Sequence, residues 1–156
     1  MRFFARILPS ALAVLLALFF EQSGALNVRG VVPNLLLIAF TVLVCRKMAW
    51  RELGALLAAF IAASVFVSPF WWPELGIIAG LVLAMQVIRP RLTGNANADF
   101  FILLPGALAA FYGILWLSRS SPFSFFAVTG ELVYTMLLGG VIWIVRTWYG
   151  EKAYSI

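Results

Sequence analysis

Any reactive chemistry in this chain would have to reside in six acidic residues: Glu21, Glu52, Glu74, Asp99, Glu131 and Glu151. Carboxylates held in a water-excluded site do general acid–base work, and one at the bilayer midplane carries protons or ions. All six stand at the ends of apolar runs, none at a centre. That placement argues against a proton-coupled transporter and against an intramembrane hydrolase. The chain has no histidine, which excludes a His-based metal site, a Ser-His-Asp triad and a His proton relay. Its one cysteine, Cys45, excludes an internal disulfide and reads as a small packing residue at the end of an apolar run, with S-palmitoylation as the other chemistry open to it. Glycine-rich phosphate loops, zinc-ligand spacings and nucleophile elbows are absent from the sequence. No enzymatic activity, cofactor or metal is expected.

The elements that position these residues are apolar. Of 156 residues, 64% are hydrophobic and 11% charged, with a mean hydropathy of +1.04. A soluble domain carries roughly 25% charged residues, so this chain has too few polar side chains to cover a surface in water. It is expected to be an integral membrane protein with almost no soluble portion. The formal charge of +5 sits in short clusters between apolar runs, without an aromatic-interleaved basic face. Membrane topology therefore accounts for it better than nucleic-acid binding does.

Val31-Val32-Pro33-Asn34 opens the most telling run, which continues to Cys45 and ends at Arg46-Lys47. Proline costs little near a helix start, and Asn34 is placed to bond free amides of the first turn. The paired cations mark a cytoplasmic exit. Six spans are expected in all, at about 7–24, 31–45, 53–70, 72–88, 100–117 and 128–146, forming a single transmembrane domain over 1–156. The first has the outline of a secretory signal, with Arg2 and Arg6 before it and Ser23-Gly24-Ala25 after. It is expected to be retained as a helix. Ser68-Pro69-Phe70-Trp71-Trp72-Pro73 reads as an interfacial turn, Thr93 to Asn97 as a loop and Pro105-Gly106 as a kink. The 72–88 element has a re-entrant path as its alternative, which would put the C-terminus on the opposite side.

Charge asymmetry supports the count. Six spans with a cytoplasmic N-terminus put Arg2, Arg6, Arg46, Lys47, Arg51, Arg89, Arg91, Arg146 and Lys152 inside, and only Arg29 and Arg119 outside. That is the bias of the positive-inside rule. Both termini are then cytoplasmic. Glu21, Glu74 and Glu131 share a depth on the outer side, with Arg29 and Arg119 as candidate partners. Solvated helix ends are their plainer reading, though Phe123 to Phe126 and Leu132 leave Glu131 in apolar company.

Small residues recur at helical spacing. Gly54, Ala58, Ala59, Ala62 and Ala63 lie along the third run, and Gly76, Gly80 and Ala84 along the fourth. Gly106 and Ala110 on the fifth and Ala13 and Ala17 on the first repeat the spacing. Such stripes let helix backbones approach closely in lipid, where packing drives association. For any one stripe, packing within the chain is the simpler use. Stripes on four of the runs suggest that at least one faces another subunit.

Taken together, these features resemble MreD, the family of bacterial rod-shape-determining membrane proteins. The residues bearing the likeness are Arg29, Pro33, Asn34, Leu35 to Phe40, Gly54, Ala58, Glu131, Tyr134 and Arg146. Where the family often ends its third helix with an acid, Ala62-Ala63-Ser64 stands here. The resemblance implies a fold like that of the substrate-binding subunits of energy-coupling-factor transporters. It also implies a non-enzymatic scaffold in the bacterial inner membrane. That scaffold binds an MreC-like protein and, through it, couples MreB filaments to the RodA–transpeptidase machinery (the elongasome) that builds peptidoglycan. The partner or packing candidates are Pro33, Asn34, Gly54, Ala58, Ala62, Gly76, Gly80 and Glu131. The competing reading is a vitamin-type binding subunit of an energy-coupling-factor transporter, which needs a polar-lined pocket near the outer surface. A lipid-modifying enzyme is disfavoured by the absence of histidine and of buried acids.

Overall fold

Leu35–Cys45 is apolar on every side, and a helix of that kind must be enclosed. In the computed structural model, which describes residues 2–28, 30–67, 72–118 and 124–153, it lies at the centre. The described residues form six α-helices: α1 (Arg2–Ser23), α2 (Leu35–Cys45), α3 (Trp50–Val67), α4 (Trp72–Ile88), α5 (Ala96–Ser118) and α6 (Phe125–Ala153). They contain no strand, only one isolated bridge between Val28 and Val31. The protein is all-helical.

The short helix α2 packs against α1, α4, α5 and α6. Its Phe40 meets Phe60 of α3 edge-to-face at 5.5 Å. Around it, α3 packs on α1, α4 on α5, and α5 on α6. The core is the enclosed surface of α2 together with one side of each surrounding helix: Val14 and Leu18, Leu53 and Leu56, Ile78 and Val82, Leu104 and Leu108, and Trp143. The opposite sides stay apolar and exposed, as at Leu12, Phe19, Trp116, Leu137 and Val141. Large exposed apolar surface of this kind is matched to a non-aqueous solvent or to a partner.

Several boundaries depart from the expected spans, each for a local reason. The 31–45 segment is helical only from Leu35, because Pro33 and Asn34 stand before the helix and residues 32–34 are irregular. Eleven residues extend about 16 Å at 1.5 Å per residue, roughly half of the 30 Å hydrocarbon layer. Thus α2 is too short to cross such a layer on its own, and Pro33 and Asn34 in the irregular backbone before it are buried. The loop expected at Thr93–Asn97 is shorter, since α5 begins at Ala96 with the Asn95 carboxamide accepting from the amide of Asn97. Helix α5 continues through Pro105. The last helix starts at Phe125, earlier than expected, and ends at Ala153. The turn expected around Ser68 to Trp71 lies outside the described residues. Among the described residues, two helices are long and apolar enough to cross a membrane by length and composition, Ala96–Ser118 and the Phe125–Trp148 part of α6.

Candidate functional site

The start of α2 is the point where polar groups from several helices converge. The first amides of any helix have no partner within it, and in an apolar surrounding each unmade bond costs free energy. Here every one is met. The amide of Leu35 donates to the Pro33 carbonyl at 3.0 Å, and that of Ile38 to the Asn34 carbonyl at 3.3 Å. The Glu21 carboxylate, at the end of α1, accepts from Leu36 at 3.2 Å. The Asn34 side chain accepts from Leu37 at 2.9 Å. One residue earlier, the amide of Asn34 donates to the Thr135 hydroxyl of α6 at 3.0 Å. A carboxylate at this position is also favoured by the partial positive charge of the helix start.

Glu131 lies one turn before Thr135 on α6 and accepts a hydrogen bond from the Tyr112 hydroxyl of α5 at 2.8 Å. Glu74 of α4 and Glu131 are both within electrostatic range of Glu21. These are the three acids expected to share a depth on the outer side. Their proposed partners Arg29 and Arg119 lie outside the described residues. The arrangement ties α1, α2, α5 and α6 together at one end of the bundle. Among the described residues, no group of three or more His, Cys, Asp or Glu side chains is arranged to hold a metal ion.

At the other end of α2 the chain leaves through Arg46 and Lys47, the latter in the left-handed region at φ 60°. Gln86 of α4 donates to the Met48 carbonyl at 2.9 Å. Asp99 is 1% exposed and accepts from both the amide and the hydroxyl of Thr93, at 3.0 and 2.7 Å. Its second oxygen has no hydrogen-bond partner. Phe100 stacks on Trp143 at 4.5 Å, the indole N–H donates to Asn97 at 2.9 Å, and the Arg146 guanidinium lies 5.0 Å from the Trp143 ring.

Between α1 and α6, with α2 as its floor, runs an open cavity of about 780 Å³. Ala13 and Ala17, Ala39 and Val42, and Leu138 and Ile142 line its length. Arg46 and Arg146 line it at one end.

The eight candidates divide sharply. Pro33, Asn34 and Glu131 are drawn into the polar junction at the start of α2. Gly54, Ala58 and Ala62 of α3 and Gly76 and Gly80 of α4 are exposed. A Cβ built on Gly54, Gly76 or Gly80 meets nothing within 4 Å. The small-residue packing within the chain is elsewhere: a Cβ on Gly139 would lie 2.7 Å from Leu104 and 3.4 Å from Ile38, and one on Gly130 3.2 Å from Val31. Thr135 and Tyr112 are the residues that sequence reasoning missed. Glu131 in apolar company signalled that some donor must meet it, but not which one. Thr41 and Ser64 bond their own helix, donating to Leu37 and Phe60 at 2.7 and 2.8 Å.

No family model, curated protein or solved structure matches this chain.

Proposed function

We propose that this chain is a non-enzymatic scaffold of the bacterial inner membrane, of the MreD type, serving the cell-elongation machinery through its helix surfaces. On this reading its six helices lie in the bilayer with both termini cytoplasmic. Its partners are an MreC-like protein and, through it, MreB, RodA and the transpeptidase. The observation that carries the proposal is the outward direction of the small residues on α3 and α4. Gly54, Ala58, Ala62, Gly76 and Gly80 are exposed, and a Cβ on any of the three glycines meets no atom of the described residues within 4 Å. In lipid, such surface is where a second helix approaches closely. The exposed apolar sides of α1, α5 and α6 support bilayer residence.

The test is co-purification from detergent extract with the product of a neighbouring MreC-like gene. Gly54→Leu combined with Ala58→Leu is expected to cut recovery of that partner more than tenfold while the chain still elutes as a folded species. Undiminished recovery with both bulky residues present defeats the proposal.

The cavity gives the transporter-subunit reading its one specific support. Its volume is in the range of small-molecule sites, roughly 300–1,000 Å³. A vitamin needs several converging polar groups, whereas alanine, leucine, isoleucine and valine dominate this lining. The scaffold reading therefore stands first.

A further inference from the structure

We infer that the groove between α1 and α6 holds an acyl chain of an anionic glycerophospholipid, with the lipid phosphate between Arg46 and Arg146. The inference rests on the membrane reading above and goes beyond it, by giving the bundle a resident lipid of defined charge.

Three observations fit that occupant. The wall and floor residues are apolar, and the small side chains of Ala13, Ala17 and Ala39 keep the groove open along its length. From Leu35 to Arg46 the floor is one helix long, about 16 Å by helical rise, which matches one leaflet of a roughly 30 Å hydrocarbon layer. The charged end is built from two guanidiniums that lie within electrostatic range of each other. Two like charges at the mouth of an apolar slot raise each other's cost, and a shared phosphate removes it with charge-assisted hydrogen bonds. Basic pockets between helices at the cytoplasmic face are where anionic headgroups bind, and the positive-inside assignment puts both arginines there.

The rest of each arginine's surroundings agrees. Arg46 follows the last turn of α2, its amide donating to the Val42 and Leu43 carbonyls, so its stem leaves the helix at the groove's end. Arg146 lies over the Trp143 ring, 5.0 Å from its centroid, a cation–π contact that holds the guanidinium at the groove's end. A zwitterionic headgroup offers the same acyl chain but carries its own cation to the site, so selectivity for net negative charge is the distinguishing property.

The experiment is native mass spectrometry of the full chain, purified in detergent and titrated with phosphatidylglycerol or phosphatidylcholine of matched chain length. One phosphatidylglycerol is expected to stay bound at energies that strip phosphatidylcholine, with at least a tenfold difference in retention. Arg46→Gln with Arg146→Gln is expected to abolish that difference, and Arg46→Lys with Arg146→Lys to keep most of it. Ala13→Trp, from the exposed side of α1, is expected to block retention of both lipids with the charges intact. Equal retention of the two lipids by the wild-type chain overturns the inference, as does undiminished selectivity in the double Gln variant. A polypeptide found cross-linked to Ala39→Cys in place of lipid overturns it too. Alkaline carbonate extraction of the membranes separates the two levels. Release of the chain defeats the membrane reading itself, whereas a chain that stays embedded without lipid selectivity defeats only the lipid site.

Discussion

The seam between α6 and α2 and the outer surfaces of α3 and α4 use the same small residues to opposite ends. On the seam, Gly130 faces Val31, the Thr135 hydroxyl accepts from Asn34, and Gly139 faces Leu104 and Ile38. Successive positions of α6 are thus matched to successive positions at and after the start of α2. On α3 and α4, Gly54, Gly76 and Gly80 have no such counterpart. Close approach of two backbones is a property of the pair of helices, and a four-residue spacing on one of them does not reveal whether the pair lies within the chain. The contrast separates residues that hold the bundle together from residues it offers outward.

The largest expected effect breaks the seam. In Gly139→Leu a Cβ would start 2.7 Å from a fully buried Leu104 side chain, with more atoms to follow. Overpacking of this kind costs about 1–3 kcal/mol or more. A fall in thermal midpoint in detergent, with loss of the folded elution peak, is expected. An unchanged midpoint would remove the seam's special status.

Next comes Thr135→Val, which keeps the shape and removes the acceptor for the Asn34 amide. A buried donor left unmet costs about 1–3 kcal/mol. Hydrogen exchange at Asn34 is expected to quicken with that loss, and protection equal to wild type would show the bond to be dispensable. Asn34→Ala removes only the side-chain cap on Leu37, for about 1 kcal/mol. Its check is a smaller drop in the same thermal midpoint.

The smallest effect sharpens the other side of the comparison. Gly54→Leu is expected to leave stability within about 0.5 kcal/mol of wild type, as for a surface substitution. A drop comparable to that of Gly139→Leu would mean that α3 has a close neighbour after all, and the two regions would no longer differ.

Much of this is legible in the amino-acid sequence. Apolar runs with cations at their ends located all six helices, and Asn34 caps α2 through a side-chain bond that its position implied. Glu131 stood out for lying among apolar residues, and it is tied to Tyr112. What the residues alone could not disclose was direction. Gly139 and Gly140 carry no four-residue spacing, yet Gly139 has the tightest approach, because Leu104 and Ile38 come from other parts of the chain. Length is a second difference, at α2. An apolar run of 15 residues looked like a span, but Pro33 and the capping Asn34 remove its first four from the helix. Asp99 reads in the sequence as an ordinary segment end, yet it is buried and bonded to Thr93, beside the buried Phe100.

The bond between the Asn34 amide and Thr135 joins positions 101 residues apart, whereas Glu21 and Leu36 are separated by 15. Ribosomes elongate at about 5–20 residues per second, so the first partner is made about 5–20 s before the second. The innermost helix is therefore completed by one synthesised well after it. A nascent chain stalled ahead of Phe125 carries a half-finished centre, with the Asn34 amide still lacking its Thr135 acceptor.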